Sequence, residues 1–245
     1  MTGEELKRYS RQIEALGLEG QENLKNARIL IAGAGGLGSV IATYLAAVGV
    51  GSIQIADYDT VEESNLNRQI LHWEKDIGRQ KTDSVEEKLK SINPHVIIEK
   101  IPHLIDEKNI LDVVGEADLI VDAMDNFATR YLLNQAAITR AIPFFHGAIS
   151  GFYGQATTII PGRTACLRCI FPAGPPPAAF QAVGATCGIV GSIEATEVIK
   201  YITGKGDLLA GRLLLWDGLA GDLNIINVKR NPECGDCGIP SAAKL

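Results

Sequence analysis

The stretch RILIAGAGGLGSV, residues 28–40, decides the fold, because a short apolar run passes through a glycine-rich turn into a helical pattern. The glycines of the turn are Gly33, Gly35, Gly36 and Gly38. Glycine lets a backbone turn tightly and come close to a bound group. The helix predicted over residues 37–48 would present unpaired N–H groups and a partial positive charge at its start. A turn of this kind between a strand and a helix is typical of a phosphate-binding site.

Short apolar runs alternate with helical patterns downstream of this turn. The predicted strands cover residues 28–32, 52–56, 96–101, 118–122 and 142–146. Such alternation predicts a parallel sheet with right-handed crossovers. Because the first strand lacks alternating polarity, we expect helices on both faces of the sheet.

The pattern changes after about residue 150. Glycine- and proline-rich segments surround a helix predicted near residues 189–203 and strand-like runs at residues 212–216 and 224–229. Residues 175–177, three prolines, indicate a loop that crosses the surface. We therefore predict an α/β fold with a Rossmann-like, doubly wound, mostly parallel sheet that antiparallel strands extend.

Composition excludes several classes of protein. The chain has 245 residues, of which 46% are hydrophobic and 21% charged, enough for one large domain with a full core. The net charge of -6 and the absence of a Lys/Arg block argue against a nucleic-acid partner. The N-terminus is polar, and the apolar runs are too short to span a membrane. We expect a cytoplasmic protein with neither a nucleic-acid nor a membrane partner.

The glycine turn alone does not identify the nucleotide. Asp57 ends the second predicted strand 19 residues after Gly38, where an acidic side chain would hold ribose hydroxyls. This arrangement by itself favours NAD. A tight strand-to-helix turn without a ligand is the alternative interpretation.

The next segment favours phosphate chemistry over hydride transfer. Residues 57–69 read DYDTVEESNLNRQ, and Lys81 follows. Arg68 can clamp phosphate oxygens with two hydrogen bonds and Lys81 supplies a point charge, so both can neutralise charge that develops when an α-phosphate is attacked. A flat nicotinamide pocket gains nothing from these groups. The sequence therefore favours ATP.

An acidic residue follows the fourth predicted strand, at the edge of the sheet where such folds bind ligands. Asp125 is a candidate Mg²⁺ ligand, because Mg²⁺ is often held by one or two carboxylates together with phosphate oxygens. The alternative is that Asp125 and Asn126 only cap the helix that begins near residue 127.

Two C-x-x-C pairs, Cys166 with Cys169 and Cys234 with Cys237, are separated by 64 residues. Four thiolates form a closed tetrahedral Zn²⁺ site, which predicts a structural metal that joins the late strands to the sheet. A redox dithiol is the competing interpretation, but it leaves the second pair unexplained.

Together with RYSRQ at residues 8–12, these motifs resemble the ThiF/MoeB/HesA family of ubiquitin-activating-like adenylyltransferases over essentially the whole chain. The resemblance implies one ThiF-type adenylating domain over residues 1–245. Its parts would be an N-terminal helical segment (1–27), a nucleotide-binding half (28–150) and a zinc- and acceptor-binding half (151–245).

The resemblance also implies a set of site residues. Arg11, Arg68, Lys81 and Asp125 would be catalytic, with Arg11 reaching the neighbouring subunit's site in a homodimer. The residues implied to bind ATP and its Mg²⁺ are Gly33, Gly35, Gly36, Gly38, Asp57, Asp59, Ser64, Asn65, Arg68, Gln69, Lys81, Asp125 and Asn126. The implied reaction is attack of a carboxylate on the α-phosphate, which gives an acyl adenylate and pyrophosphate.

Two acceptors remain open at this point. One is the C-terminal Gly-Gly of a ubiquitin-like sulfur-carrier protein, and the other is a small-molecule carboxylate in cofactor biosynthesis. An NAD(P)-dependent oxidoreductase or a non-catalytic scaffold is a third hypothesis, against which the set of Asn65, Arg68, Lys81 and Asp125 argues. Many members of the family carry a cysteine in the loop at residues 172–185, where this chain has none. Cys187 is the one candidate thiol: a helix start would favour its thiolate, although a small buried residue is the interpretation we favour.

Overall fold

The computed structural model describes residues 1–174 and 181–238. Its helices are α1 (Gly3–Arg8), α2 (Ser10–Asn26), α3 (Gly36–Val48), α4 (Lys81–Ile92), α5 (Ile110–Val114), α6 (Phe127–Arg140), α7 (Leu167–Ile170) and α8 (Gly184–Thr203). Its strands are β1 (Arg28–Ala32), β2 (Ser52–Ala56), β3 (Ile97–Ile101), β4 (Leu119–Asp122), β5 (Phe144–Ser150), β6 (Tyr153–Ile159), β7 (Arg212–Asp217) and β8 (Asp222–Asn227). The proline loop predicted at residues 175–177 lies outside the described residues.

The strands form one sheet in the order β3-β2-β1-β4-β5-β6-β7-β8. The first five of these strands are parallel. The pairs from β5 to β8 are antiparallel. The predicted α/β fold, mostly parallel with an antiparallel extension, is therefore confirmed.

Helices cover both faces of the parallel part, as the unbroken apolar pattern of β1 predicted. On one face, α3, α4 and α8 pack around Ile41, Leu45, Val85 and Val190. On the other face, α5 and α6 pack around residues such as Leu133. Burying such side chains stabilises the fold by roughly 1.5–3 kcal/mol each.

The sequence did not predict β6, and it predicted α8 too short. Strand β6 contains Gln155, Thr157 and Thr158, so it lacks an apolar run, yet it pairs with β5 along its whole length. Helix α8 begins at Gly184, five residues before the predicted start near residue 189. Cys187 consequently lies in the first turn of the helix.

The glycine turn joins β1 to α3 with almost no space for side chains. Gly33 has φ +104°, and a Cβ on it would lie 2.5 Å from the carbonyl oxygen of Ala123. A Cβ on Gly38 would lie 1.9 Å from the carbonyl oxygen of Gly33. Gly38 therefore permits close packing of the helix against its own turn.

The N-terminal residues form α1 and α2. Thr2 and Glu5 make a reciprocal capping box at the start of α1, which satisfies two backbone N–H groups. Helix α2 has a kink at Gly17, whose backbone is not helical. Among the described residues, no helix is both long enough and apolar enough to cross a membrane.

Candidate active site

A cavity of about 920 Å³ opens at the carboxyl ends of β1, β2 and β4, where the order of the strands reverses direction. Ligands of doubly wound sheets bind at such a switch point. The predicted residues that line this cavity are Gly33, Gly35, Gly36, Asp57, Asp59, Arg68, Gln69, Lys81, Asp125 and Asn126. The fold thus brings together most of the residues that the sequence selected, from segments far apart in the chain.

The peptide unit of Ala34, in the middle of the glycine turn, is held from both sides. Its N–H donates to Asp57 Oδ2 at 2.7 Å, and its carbonyl oxygen lies 2.9 Å from His72 Nε2. Burial raises the pKa of Asp57, and the charge of Lys81 counteracts this effect. The turn is therefore fixed before any ligand arrives, while the start of α3 lies on the cavity.

Two cationic side chains lie beside the turn. Lys81, at the start of α4, is buried, and its Nζ lies 2.8 Å from Asp59 Oδ2. Arg68 donates to the carbonyl oxygen of Ser64 at 2.8 Å. Both side chains line the cavity, so the site can offer positive charge to an anionic group.

Gln69 lies beside the glycine turn. A Cβ on Gly35 would lie 3.6 Å from Gln69 Nε2. The buried Oε1 atom of Gln69 has no hydrogen-bond partner within the described part of the chain. This carbonyl oxygen can accept a hydrogen bond from a ligand in the cavity.

Asp125 and Asn126 have different roles in the structure. Asn126 Oδ1 accepts a hydrogen bond from Thr129 N at 2.9 Å and caps α6, as the alternative interpretation expected. Asp125 precedes the cap, is exposed and lines the cavity. Its carboxylate can serve as a ligand for a hard cation such as Mg²⁺.

Four of the residues predicted for catalysis and ATP binding do not line the cavity: Arg11, Gly38, Ser64 and Asn65. Asn65 is buried, and its Oδ1 accepts from Glu62 N at 3.1 Å, so its amide closes a short 3₁₀ turn. Ser64 donates to Glu62 in the same turn. Arg11 is exposed on α2.

The sequence analysis missed a buried polar network beneath the cavity. Asp122 and His146 are fully buried and joined by a 2.6 Å hydrogen bond. Arg130 Nε lies 3.3 Å from the same Asp122 oxygen, and its Nη2 donates to the carbonyl oxygen of Met124. Glu194 is also buried, and burial raises its pKa well above the ordinary value. The only sequence signal for this network was a polar residue at the end of an apolar run in β4 and β5.

The cavity continues from the parallel strands over one face of the antiparallel extension. Register pairs Ala148 with Gln155, Gln155 with Leu215, and Leu215 with Asn224, and all four residues line the cavity. These side chains form a row across β5, β6, β7 and β8. The cavity therefore extends from the glycine turn to this row of side chains on the antiparallel strands.

The four paired cysteines meet in one cluster. Their Sγ atoms all lie within 4.8 Å of one another, with 3.6 Å between Cys166 and Cys234 and 3.4 Å between Cys169 and Cys237. Tetrahedral Zn²⁺ with bonds of about 2.3 Å places sulfur atoms about 3.8 Å apart, so the cluster fits this ion. The backbone N–H of Asn231 also donates to Cys169 Sγ. The arrangement is compatible with a structural zinc site.

Cys187 lines the cavity and is 2% exposed. Burial raises its pKa, and the charge of Arg68 only partly offsets this effect. A Cβ on Gly36 would lie 2.7 Å from its Sγ atom, so the thiol fills the space that this glycine leaves. The structure favours the interpretation of Cys187 as a small buried packing residue.

Residues 9–236 match the model of a protein family described as the ThiF family. The chain belongs to the ThiF family. This confirms the resemblance inferred from the motifs. The matched residues of this ThiF-family chain cover nearly the whole length over which the motifs lie.

Named relatives and solved structures agree with this membership. A SAMP-activating enzyme E1 of Haloferax volcanii is 43% identical over 96% of this chain and 89% of its own length. A sulfur carrier protein adenylyltransferase of Thermus thermophilus is 42% identical over 97% of this chain and 92% of its own. A crystal structure of E. coli MccB with ATP has a TM-score of 0.84 at 26% identity, covering 94% of this chain and 74% of that one.

Proposed function

We propose that this ThiF-family protein uses ATP to adenylate the C-terminal carboxylate of a ubiquitin-like sulfur-carrier protein. The observation that carries the proposal is the single cavity that joins the glycine turn and its cations to the open face of the antiparallel strands. Such a cavity can hold a nucleotide at one end and an extended chain end at the other. The names of the two relatives, an activating enzyme and a sulfur carrier adenylyltransferase, support the same activity.

At the nucleotide end, each residue has a chemical task. The first N–H groups of α3 and the fixed glycine turn cradle phosphate oxygens. Asp57 accepts hydrogen bonds from ribose hydroxyls, for which its position at the end of β2 suits it. Lys81 exchanges its partner Asp59 for phosphate oxygens, and Arg68 adds a second positive charge.

The acceptor carboxylate attacks the α-phosphorus, a P–O bond forms to the carboxylate oxygen, and the bond to pyrophosphate breaks. Because the carboxylate is already ionised, no general base is required. Positioning of the two reactants and neutralisation of the charge on the pyrophosphate by Arg68 and Lys81 supply the rate enhancement. We assign Asp125 as the residue that would hold Mg²⁺ in the cavity, and a bound ion would supply positive charge beside the phosphates.

Arg11 suits a role in a homodimer. It is exposed on α2 and does not line the cavity of its own chain. We propose that it completes the triphosphate site of a second copy. We also assign Zn²⁺ to Cys166, Cys169, Cys234 and Cys237, where the ion would join the loops after β6 and β8.

The second candidate function is adenylation of a small-molecule carboxylate. The observation in its favour is that residues 172–185 contain no cysteine, so no loop thiol is present for a later transfer step. ATP–pyrophosphate exchange distinguishes the two functions. Exchange that depends on a carrier protein ending in Gly-Gly supports the first, whereas exchange with small acids but not with the carrier establishes the second. An NAD(P)-dependent reaction would give no exchange with either.

A further inference from the structure

The fully buried pair of Asp122 and His146 has a defined hydrogen-bond polarity. The guanidinium of Arg130 lies beside the Asp122 carboxylate, which can therefore only accept hydrogen bonds. His146 Nδ1 must carry the proton that fills the 2.6 Å contact. Burial lowers the pKa of His146, so its second nitrogen, Nε2, has a lone pair and no proton.

This lone pair fixes the orientation of the neighbouring amide. Gln155 Nε2 lies 3.3 Å from His146 Nε2, and only the NH₂ arm of an amide can donate to a bare imidazole nitrogen. The carbonyl arm, Oε1, is then the arm that does not contact His146 and that can accept a hydrogen bond in the cavity, which Gln155 lines. Asp122 thus fixes which nitrogen of His146 carries the proton, and His146 in turn fixes the orientation of the Gln155 amide.

Gln155 lies in the row of side chains that line the cavity, so the orientation of its amide affects what can bind there. Its register partners Ala148 and Leu215 are apolar, so Gln155 supplies the polar group at the centre of this row. A carbonyl oxygen there attracts an N–H donor and repels a carboxylate. The natural donor in an extended chain end is the backbone N–H next to the terminal carboxylate.

We propose that Gln155 is a specificity-determining residue whose carbonyl oxygen accepts a hydrogen bond from the last backbone N–H of the acceptor. This proposal rests on the adenylation function proposed above. It adds that the site selects chain ends with an amide beside the reacting carboxylate over carboxylates that lack one. His146 acts through Gln155 and is a positioning residue.

The direct test replaces one atom of the acceptor. The probes are a ubiquitin-like carrier protein ending in Gly-Gly and a semisynthetic copy in which an ester oxygen replaces the last N–H. In ATP–pyrophosphate exchange, the wild-type protein should show a KM about tenfold higher for the ester, about 1.4 kcal/mol. Gln155→Leu should have nearly equal KM values for both probes and an unchanged KM for ATP, while the surface control Gln135→Ala keeps the wild-type ratio.

His146→Phe tests the positioning role of His146, because without the imidazole the Gln155 amide is free to rotate. The ester-to-amide KM ratio should fall towards one while the KM for ATP stays within about twofold of wild type. A wild-type protein that treats both probes equally overturns the inference even if no variant folds. So does a Gln155→Leu protein that keeps the tenfold ratio. Absence of exchange with the amide carrier would instead remove the proposed function itself, so the two failures are distinguishable.

Discussion

His72 Nε2 lies 2.9 Å from the carbonyl oxygen of Ala34, which joins a buried imidazole to the centre of the glycine turn. A carbonyl can only accept, so Nε2 carries the proton and Nδ1 accepts from Ser84 Oγ at 2.9 Å. The imidazole therefore connects the turn to α4, the helix that begins with Lys81. This connection fixes the distance between the two groups assigned to phosphate binding.

The hydrogen bond between His72 and Ala34 predicts that changing His72 weakens the binding of ATP. His72→Phe should raise the KM for ATP about tenfold in the exchange assay, because Ala34 loses its donor and the turn loses a fixed position. His72→Gln keeps an N–H donor and should stay within about threefold of wild type. Equal KM values for ATP in wild type and His72→Phe would show that the contact has no role in binding.

The same residue predicts a pH dependence of stability. Burial lowers the pKa of His72, so below about pH 6.5 the unfolded chain binds a proton that the folded chain resists. The free energy of unfolding should therefore fall as the pH drops below 6.5. Urea titrations from pH 8 to pH 5 should give a smaller loss for His72→Gln than for wild type, and parallel curves would contradict this assignment.

Glu194 should have the opposite pH dependence. Burial raises its pKa, Asp122 raises it further, and Arg130 only partly opposes them. Between the ordinary glutamate pKa of about 4.3 and the raised pKa of Glu194, the folded state keeps a proton that the unfolded state releases, so stability falls as the pH rises through this window. Glu194→Gln should be more stable than wild type at pH 8, by on the order of 1 kcal/mol, and equal to it near pH 4. A variant that is less stable at pH 8 would show that the carboxylate is ionised in the fold.

The sequence could predict the turn, the mostly parallel sheet and the group of residues that line the cavity near the turn, because their local patterns are strong. Gly33 and Asp57 follow apolar strands, and their positions at the carboxyl ends of adjacent parallel strands follow from topology alone. Gln155 could not be found in this way. It lies in a strand without an apolar run, and its orientation depends on His146, which only the paired register of β5 and β6 places beside it.

The sequence motifs also implied a role in ATP binding for two residues, Gly38 and Asn65, that do not line the cavity. Gly38 belongs to the glycine pattern, but its task is to let α3 pack against Gly33. Asn65 belongs to the polar motif of residues 64–69, but its amide closes a local turn. A sequence motif shows which residues occur together, but only the packing shows which of them line the cavity.

The packing role of Gly38 predicts a large effect from one methyl group. Gly38→Ala places a Cβ 1.9 Å from the carbonyl oxygen of Gly33, a distance that requires the turn or α3 to move. We expect a loss of stability of several kcal/mol, or failure to fold, measured by thermal unfolding. Gly188→Ala is the control, because nothing lies within 4 Å of its Cβ and alanine favours the interior of α8. Similar melting temperatures for both variants would contradict the assigned role.

The last prediction separates the site residues from Cys187. Arg68→Ala and Asp125→Ala should each lower carrier-dependent ATP–pyrophosphate exchange about 100- to 1000-fold, because Arg68 supplies positive charge to the phosphates and Asp125 would hold the Mg²⁺ that does the same. Cys187→Ala should leave exchange nearly intact, because its buried thiol has a raised pKa and packs against Gly36. A Cys187→Ala protein that folds, as judged by its circular dichroism spectrum, but has lost exchange would make the thiol part of the chemistry. The contact of the Cys187 thiol with Gly36, the first residue of α3, would then place the thiol at the reacting groups.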